Sequence, residues 1–111
     1  MLLLDQRGCG KSNPFTETRE NTSQHLVADI EALSRHFRIS RWHLAFNGSW
    51  GSTLPMLYPQ THPEAVGSLL LRGVLTGRKS EFEFIFTPQG AATLYPEAYT
   101  TVISYLPVED R

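Results

Sequence analysis

One short segment of the sequence has the residue types of a nucleophilic serine site. Asn47, Gly48, Ser49, Trp50 and Gly51 follow one another, close to the G-x-S-x-G nucleophile elbow. Small residues beside the serine let the chain turn sharply from strand to helix, which exposes the serine hydroxyl on a strained backbone. We therefore take Ser49 as the candidate nucleophile and the Trp50 backbone N–H as a candidate oxyanion donor. A plain β-turn rich in glycine and serine is the alternative, since the first small position is Asn47.

None of the four histidines is placed by its spacing to activate Ser49. On a helix His62 would lie about 20 Å along the axis from Ser49, and His43 is roughly as far upstream on a strand. His36 falls at the helix end away from the motif, and His25 lies on a neighbouring helix. A general base must lie within hydrogen-bond reach. We read all four as structural or surface residues, and we expect no metal and no cofactor.

A second glycine-rich segment resembles the end of a phosphate-binding loop. Residues 8–12 read Gly-Cys-Gly-Lys-Ser, but the first glycine of the P-loop pattern is replaced by Asp5. The lysine should also open a helix, whereas Asn13 and Pro14 follow here, and a residue before proline avoids the helical region. This segment is therefore predicted to be an ordinary turn after a strand.

The composition of the chain excludes several classes of protein. The chain has 111 residues, a formal net charge of -1, 41% hydrophobic residues and 19% charged residues. This balance argues against a strongly basic nucleic-acid binder and against a disordered chain. No apolar run approaches the ~20 residues that a membrane span needs. A single cysteine, Cys9, excludes a disulfide framework and indicates a reducing compartment, so we expect a cytoplasmic protein.

The elements around these motifs alternate as in a parallel α/β sheet. Apolar or aromatic runs predict three strands. Between them, a helical period of apolar residues predicts one helix and a segment of helix length predicts a second. Asn21 is the expected N-cap of the first helix. The strands are predicted at 1–4, 41–46 and 66–74, and the helices at 21–37 and 52–62. Strand and helix in alternation predict a βαβαβ unit. The aromatic-rich stretch 82–105 is predicted to form short helices outside the sheet.

These motifs together resemble a known family. The blocks that carry the resemblance, in order, are 5–12, 20–22, 26–31, 48–54, 60–64, 71–73, 89–91 and 94–98. Their order and spacing closely resemble those of the proline iminopeptidases (prolyl aminopeptidases), serine peptidases with the α/β-hydrolase fold. The match runs nearly from end to end and covers about the middle third of a family member.

The resemblance implies a fold, an activity and a division of the chain. Family members release an N-terminal proline from peptides, without metal or cofactor. Ser49 matches the family nucleophile, and the Trp50 N–H matches half of its oxyanion hole. Residues 1–76 would form a partial α/β-hydrolase core and residues 77–111 the beginning of a helical cap. The catalytic Asp and His and the second oxyanion donor would lie outside this segment, so we expect these 111 residues alone to be inactive.

Three positions depart from the family pattern. Asn47 stands where the family has glycine, and we expect it to crowd the elbow. Pro55 and Pro59 lie inside the helix that follows Ser49, where they should kink or weaken it. Two alternatives to the peptidase stay open. One is a non-catalytic remnant or binding protein, and the other is a different α/β-hydrolase such as an esterase. An epoxide hydrolase would carry Asp at the elbow.

Overall fold

The computed structural model describes residues 1–110 and divides the chain into two compact units, Met1–Val74 and Leu75–Arg111. The first unit contains two helices and two strands, namely α1 (Ser23–His36), β1 (Ala45–Gly48), α2 (Trp50–Thr61) and β2 (Leu69–Arg72). A short 3₁₀ turn, Pro63–Ala65, connects α2 with β2. The second unit contains helices α3 (Lys79–Phe86) and α4 (Pro96–Ser104), with 3₁₀ turns at Ala91–Thr93 and Val108–Asp110.

The two strands form a parallel sheet whose connection passes through α2. The register pairs Ala45 with Leu69 and Gly48 with Arg72, and an isolated bridge joins Trp42 to Val66. Both strands overlap predicted ones, although each is only four residues long. The strand–helix–strand order that the sequence indicates around Ser49 is therefore present.

The predicted first strand is wrong. Residues 1–4 are apolar, but they have no strand structure and pair with neither β1 nor β2. Residues 2–6 and the residues of β1 line the same cavity, which has a volume of about 690 Å³. An apolar run becomes a strand only when another backbone accepts and donates its ladder hydrogen bonds. Among residues 1–110 no backbone lies in register to do so, and the sheet has two strands instead of three.

Helix α1 begins one residue later than the capping pattern predicts. Thr22, not Asn21, is the N-cap, and its hydroxyl accepts from the backbone N–H of His25. The Asn21 side chain instead donates to the carbonyl of Arg7, at 3.3 Å. Leu26 is the buried residue of the predicted apolar face.

Helix α2 forms as predicted despite its two interior prolines. It runs without a break from Trp50 to Thr61 and buries Leu54, Pro55 and Tyr58. Each interior proline removes one backbone hydrogen bond and costs a helix about 3 kcal/mol. Burial of the α2 face against the sheet and α1 offsets that cost, because a fully buried large apolar side chain contributes about 1.5–3 kcal/mol.

The second unit consists of short helices, as the aromatic-rich stretch predicts. The Glu81 carboxylate caps α3, accepting from the backbone N–H groups of Thr76 and Arg78. The hydrogen bond from the Arg78 N–H, and to a smaller extent that from the Thr76 N–H, holds the pKa of Glu81 below its usual value. The assignment of this unit as the beginning of a cap remains a prediction.

No helix within residues 1–110 is both long enough and apolar enough to cross a bilayer.

Large apolar side chains on and next to the sheet stay exposed, and we expect the 111-residue chain to self-associate. Leu44, Phe46 and Leu70 are 53%, 65% and 55% exposed, and a two-stranded sheet is marginally stable by itself. Sedimentation velocity at micromolar concentration should show oligomers, which Phe46→Lys combined with Leu70→Lys should reduce. A monomeric profile of the unaltered chain with a cooperative thermal transition would contradict this prediction.

Candidate active site

Ser49 lies at the sharp turn between β1 and α2. Its backbone has φ 53° and ψ -134°, a left-handed conformation that non-glycine residues seldom adopt. The side chain is exposed, and it makes no capping hydrogen bond to the helix. A strand, a strained serine and a helix in direct succession are the geometry that a nucleophile elbow requires.

The backbone of Ser49 is held from both sides of the turn. Its N–H donates to the carbonyl of Arg72 at 2.9 Å, which ties it to the end of β2. Its carbonyl accepts from the backbone N–H of Ser52 at 2.9 Å and from the Ser52 hydroxyl at 2.6 Å. Ser52 is fully buried. The strained conformation is thus fixed by hydrogen bonds to two neighbouring elements, and the exposed hydroxyl of Ser49 remains available.

The Trp50 backbone N–H is the first donor of α2. No acceptor contacts it within residues 1–110. The first N–H groups of a helix lack intrahelical partners, and the helix dipole adds partial positive charge there. The group can therefore donate to an oxyanion that forms on a substrate bound at Ser49.

Asn47 occupies the space that the last glycine of the motif leaves open. Its Oδ1 accepts from the Gly48 N–H at 2.8 Å. A β-carbon added to Gly51 would clash with all three heavy atoms of the Asn47 carboxamide end. Asn47 therefore fits without loss of the elbow conformation at Ser49, because Gly51 has no side chain.

Two of the histidines contact side chains other than that of Ser49. His62 contacts Glu31, with Nε2 3.6 Å from Oε2, and its Nδ1 lies 2.8 Å from the Thr61 hydroxyl. His25 pairs with the N-cap Thr22. Within residues 1–110 no histidine is hydrogen-bonded to Ser49, and no group of three or more metal-binding side chains is found there.

A hydrogen bond between Tyr58 of α2 and Glu31 of α1 could not be predicted from the sequence. Tyr58 is only 2% exposed, and its hydroxyl donates to Glu31 at 2.8 Å. Arg35 and then Tyr58 hold the pKa of the Glu31 carboxyl below its usual value, while burial raises the pKa of Tyr58. The His62 ring stacks on Tyr58 at 4.8 Å. Helical spacing marks Tyr58 as a core position but does not reveal which carboxylate it meets.

The loop that precedes α1 is fixed to that helix by Arg7. Its guanidinium makes a bidentate ion pair with Asp29, in which Nε lies 2.7 Å from Oδ2. It also donates to the backbone carbonyl of Glu20. Residues 8–12 form the predicted turn, in which the Asp5 carboxylate accepts from the Lys11 N–H. Asp5 and Gln6 line the same cavity as Asn47 and Gly48 of the elbow. The ion pair thus anchors a loop whose first residues border the candidate site.

Comparison with known protein families identifies the family to which this chain belongs. The profile described as the alpha/beta hydrolase fold matches residues 1–108. The chain belongs to the α/β-hydrolase family. The fold class predicted from sequence is confirmed, and an elbow between a parallel strand and a helix is the expected position of the nucleophile in such a hydrolase.

The more similar relatives of this α/β-hydrolase are named proline iminopeptidases. The chain is 46% identical over 111 residues to the Arabidopsis thaliana protein of that name and 45% identical over 111 residues to the one from Xylella fastidiosa (strain 9a5c). It is 43% identical over 104 residues, 94% of its length, to the one from Neisseria gonorrhoeae. The resemblance found in the sequence is confirmed. The chain spans 29%, 35% and 33% of the lengths of these relatives, respectively.

Loss of the Tyr58 hydroxyl should weaken the contact between α1 and α2. We define the graft as the Xylella fastidiosa relative with residues 1–111 of this chain in place of its matching segment. In the graft, Tyr58→Phe should lower the free energy of unfolding by the modest net contribution of one hydrogen bond, because the side chain then no longer donates to the Glu31 carboxylate.

The pH dependence of this effect follows from the direction of the Glu31 shift. The folded-state pKa lies below the usual 4.5, so the stability from this carboxylate is present above that pH and is lost as the pH falls below it. Urea titrations should therefore show the Tyr58→Phe deficit shrinking as the pH falls below 4.5. A deficit of equal size at pH 3 and pH 7 would contradict the charged hydrogen bond.

Proposed function

We propose that this α/β-hydrolase segment carries the nucleophile of a serine aminopeptidase of the proline iminopeptidase type, which releases N-terminal proline from peptides. The observation that carries the proposal is the strained, exposed Ser49 between β1 and α2. The names of the relatives support the substrate class, because the matched segments share 43–46% of their residues with this chain.

The reaction would begin with attack of the Ser49 hydroxyl oxygen on the carbonyl carbon of the N-terminal proline. The hydroxyl proton passes to a general base, and the carbonyl oxygen becomes an oxyanion that accepts from the Trp50 N–H. Collapse breaks the peptide bond and releases the shortened peptide, which takes up the proton. Water then attacks the prolyl ester while the base accepts a proton from it. The ester bond breaks, the Ser49 oxygen takes up that proton, and free proline is released.

The base must come from outside the described residues. His25 and His62 contact other groups, and activation of a serine needs a base that is oriented by a third residue. By analogy with the family, we infer that an Asp and a His in the remainder of a full-length member serve as this third residue and this base. We therefore propose that the 111-residue chain has no turnover alone and gains it when those partners are supplied. The exposed thiol of Cys9 is consistent with a reducing, cytoplasmic setting.

Substrate preference in the graft tests the proposal. Proline p-nitroanilide should be hydrolysed with a kcat/KM at least about 10²-fold above that for N-acetylproline p-nitroanilide, which lacks the free amino terminus. Ser49→Ala should abolish turnover. Hydrolysis of p-nitrophenyl acetate with none of the proline anilide would favour the esterase alternative. A folded graft without any hydrolysis would favour the non-catalytic alternative.

A further inference from the structure

We propose that Asn47 is a positioning residue for Ser49, because its carboxamide holds the end of β1 and the first turn of α2 together. The inference rests on the proposed function of Ser49 as the nucleophile. It concerns a residue at which the sequence analysis expects only crowding.

The first contact of the Asn47 side chain lies at the end of β1. Backbone hydrogen bonds to β2 come from Ala45, whose N–H donates to Ser68, and from Ser49, whose N–H donates to Arg72. Alternate residues of a strand direct their backbone groups to opposite edges, so the Gly48 N–H faces away from β2. Asn47 Oδ1 accepts from it at 2.8 Å. The side chain thereby supplies a partner that the two-stranded sheet does not.

The second contact lies at the beginning of α2. Gly51 is not among the residues with positive φ, so its backbone does not itself require glycine. The nearest atoms to a β-carbon at this position would be Oδ1, Cγ and Nδ2 of Asn47, all closer than real side chains approach. Gly51 is therefore required by the space that Asn47 fills, and the two residues form a matched pair.

These two contacts lie on either side of Ser49 in the chain. One side chain holds Gly48 before the nucleophile and packs on Gly51 after it. The turn at Ser49 has φ 53°, and such a conformation persists only where the surroundings fix it. Asn47 thus supports the placement of the Ser49 hydroxyl, and a misplacement of about 1 Å at a nucleophile can cost about 100-fold in rate.

A double-mutant cycle in the graft tests this pairing. Gly51→Ala should lower kcat about 100-fold when Asn47 is present, since the new methyl group forces the carboxamide against the turn at Ser49, a larger disturbance than its removal. The same substitution in an Asn47→Gly background should lower kcat less than about 5-fold, because the space is then free. Asn47→Gly alone should lower kcat about 5-fold, with KM within 2-fold, because glycine loosens the turn.

The controls separate positioning from folding and from the proposed function. Asn47→Ala should relieve Gly51→Ala as Asn47→Gly does, and the thermal midpoints should not follow the kcat values across the cycle. Independent effects of the two substitutions would overturn the pairing, and a rise in kcat for Asn47→Gly would show that Asn47 crowds the elbow. Activity that survives Ser49→Ala would refute the proposed function instead, whatever the outcome of the cycle.

Discussion

Replacement of Ser49 by alanine in the graft is expected to lower kcat about a million-fold, the loss typical of a serine nucleophile that acts together with its base. No other described residue is placed to substitute for it, since the strained turn between β1 and α2 exposes this hydroxyl alone. KM should change little, because the missing oxygen contributes to bond formation more than to binding. Steady-state hydrolysis of proline p-nitroanilide gives both constants.

Ser68 provides a matched control for this substitution. Its side chain is exposed, and only its backbone carbonyl is used, as acceptor from the Ala45 N–H. Ser68→Ala should leave kcat and the thermal midpoint unchanged. A folded Ser49→Ala graft that keeps more than about a thousandth of the activity would mean that another group attacks the substrate.

Replacement of both helix prolines by alanine is expected to stabilise the graft by about 4 kcal/mol. Each interior proline costs a helix about 3 kcal/mol relative to alanine. Pro55 is buried, so loss of its two ring methylenes removes about 1.5 kcal/mol of burial free energy and reduces the net stabilisation by that amount. Pro59 is half-buried, so its replacement reduces the stabilisation by less. Urea denaturation should show the higher midpoint without a change in slope.

Pro96 is the matched control, because it occupies the first turn of α4, where proline is well accommodated. Pro96→Ala should therefore not stabilise the graft. If Pro55→Ala and Pro59→Ala also have no effect, the buried contacts of the proline rings must compensate for the lost backbone hydrogen bonds. Replacement of Pro55 and Pro59 should raise kcat only indirectly, because the more stable helix α2 holds the Trp50 N–H more firmly in place.

The elbow could be predicted from sequence because its requirements are local. Small residues beside Ser49, an aromatic run before it and a segment of helix length after it determine a strand, a sharp turn and a helix. The structure adds what makes the turn possible, namely the hydrogen bond that Ser49 donates to Arg72 and those that it accepts from Ser52. Arg72 has no recognisable spacing to Ser49, since it lies on a different strand, and the position of Ser52 three residues after Ser49 does not by itself reveal its hydrogen bonds.

Features that depend on distant residues could not be predicted in this way. Residues 1–4 have the apolar character of a strand, but strand formation requires a neighbouring backbone, and composition does not report one. The contact of Tyr58 with Glu31 joins residues 27 positions apart. The effect of Asn47 also differs from the sequence-based expectation, because the room for its side chain comes from Gly51 on the next element.

The site of covalent labelling tests the central claim most directly. The graft should react with one equivalent of a fluorophosphonate, and peptide mass mapping should place the added phosphonyl group on Ser49. Prior incubation with a proline substrate analogue should slow the reaction, and Ser49→Ala should remove it. A phosphonyl group on any other residue of a graft that hydrolyses proline p-nitroanilide would contradict the assignment of Ser49 as the nucleophile.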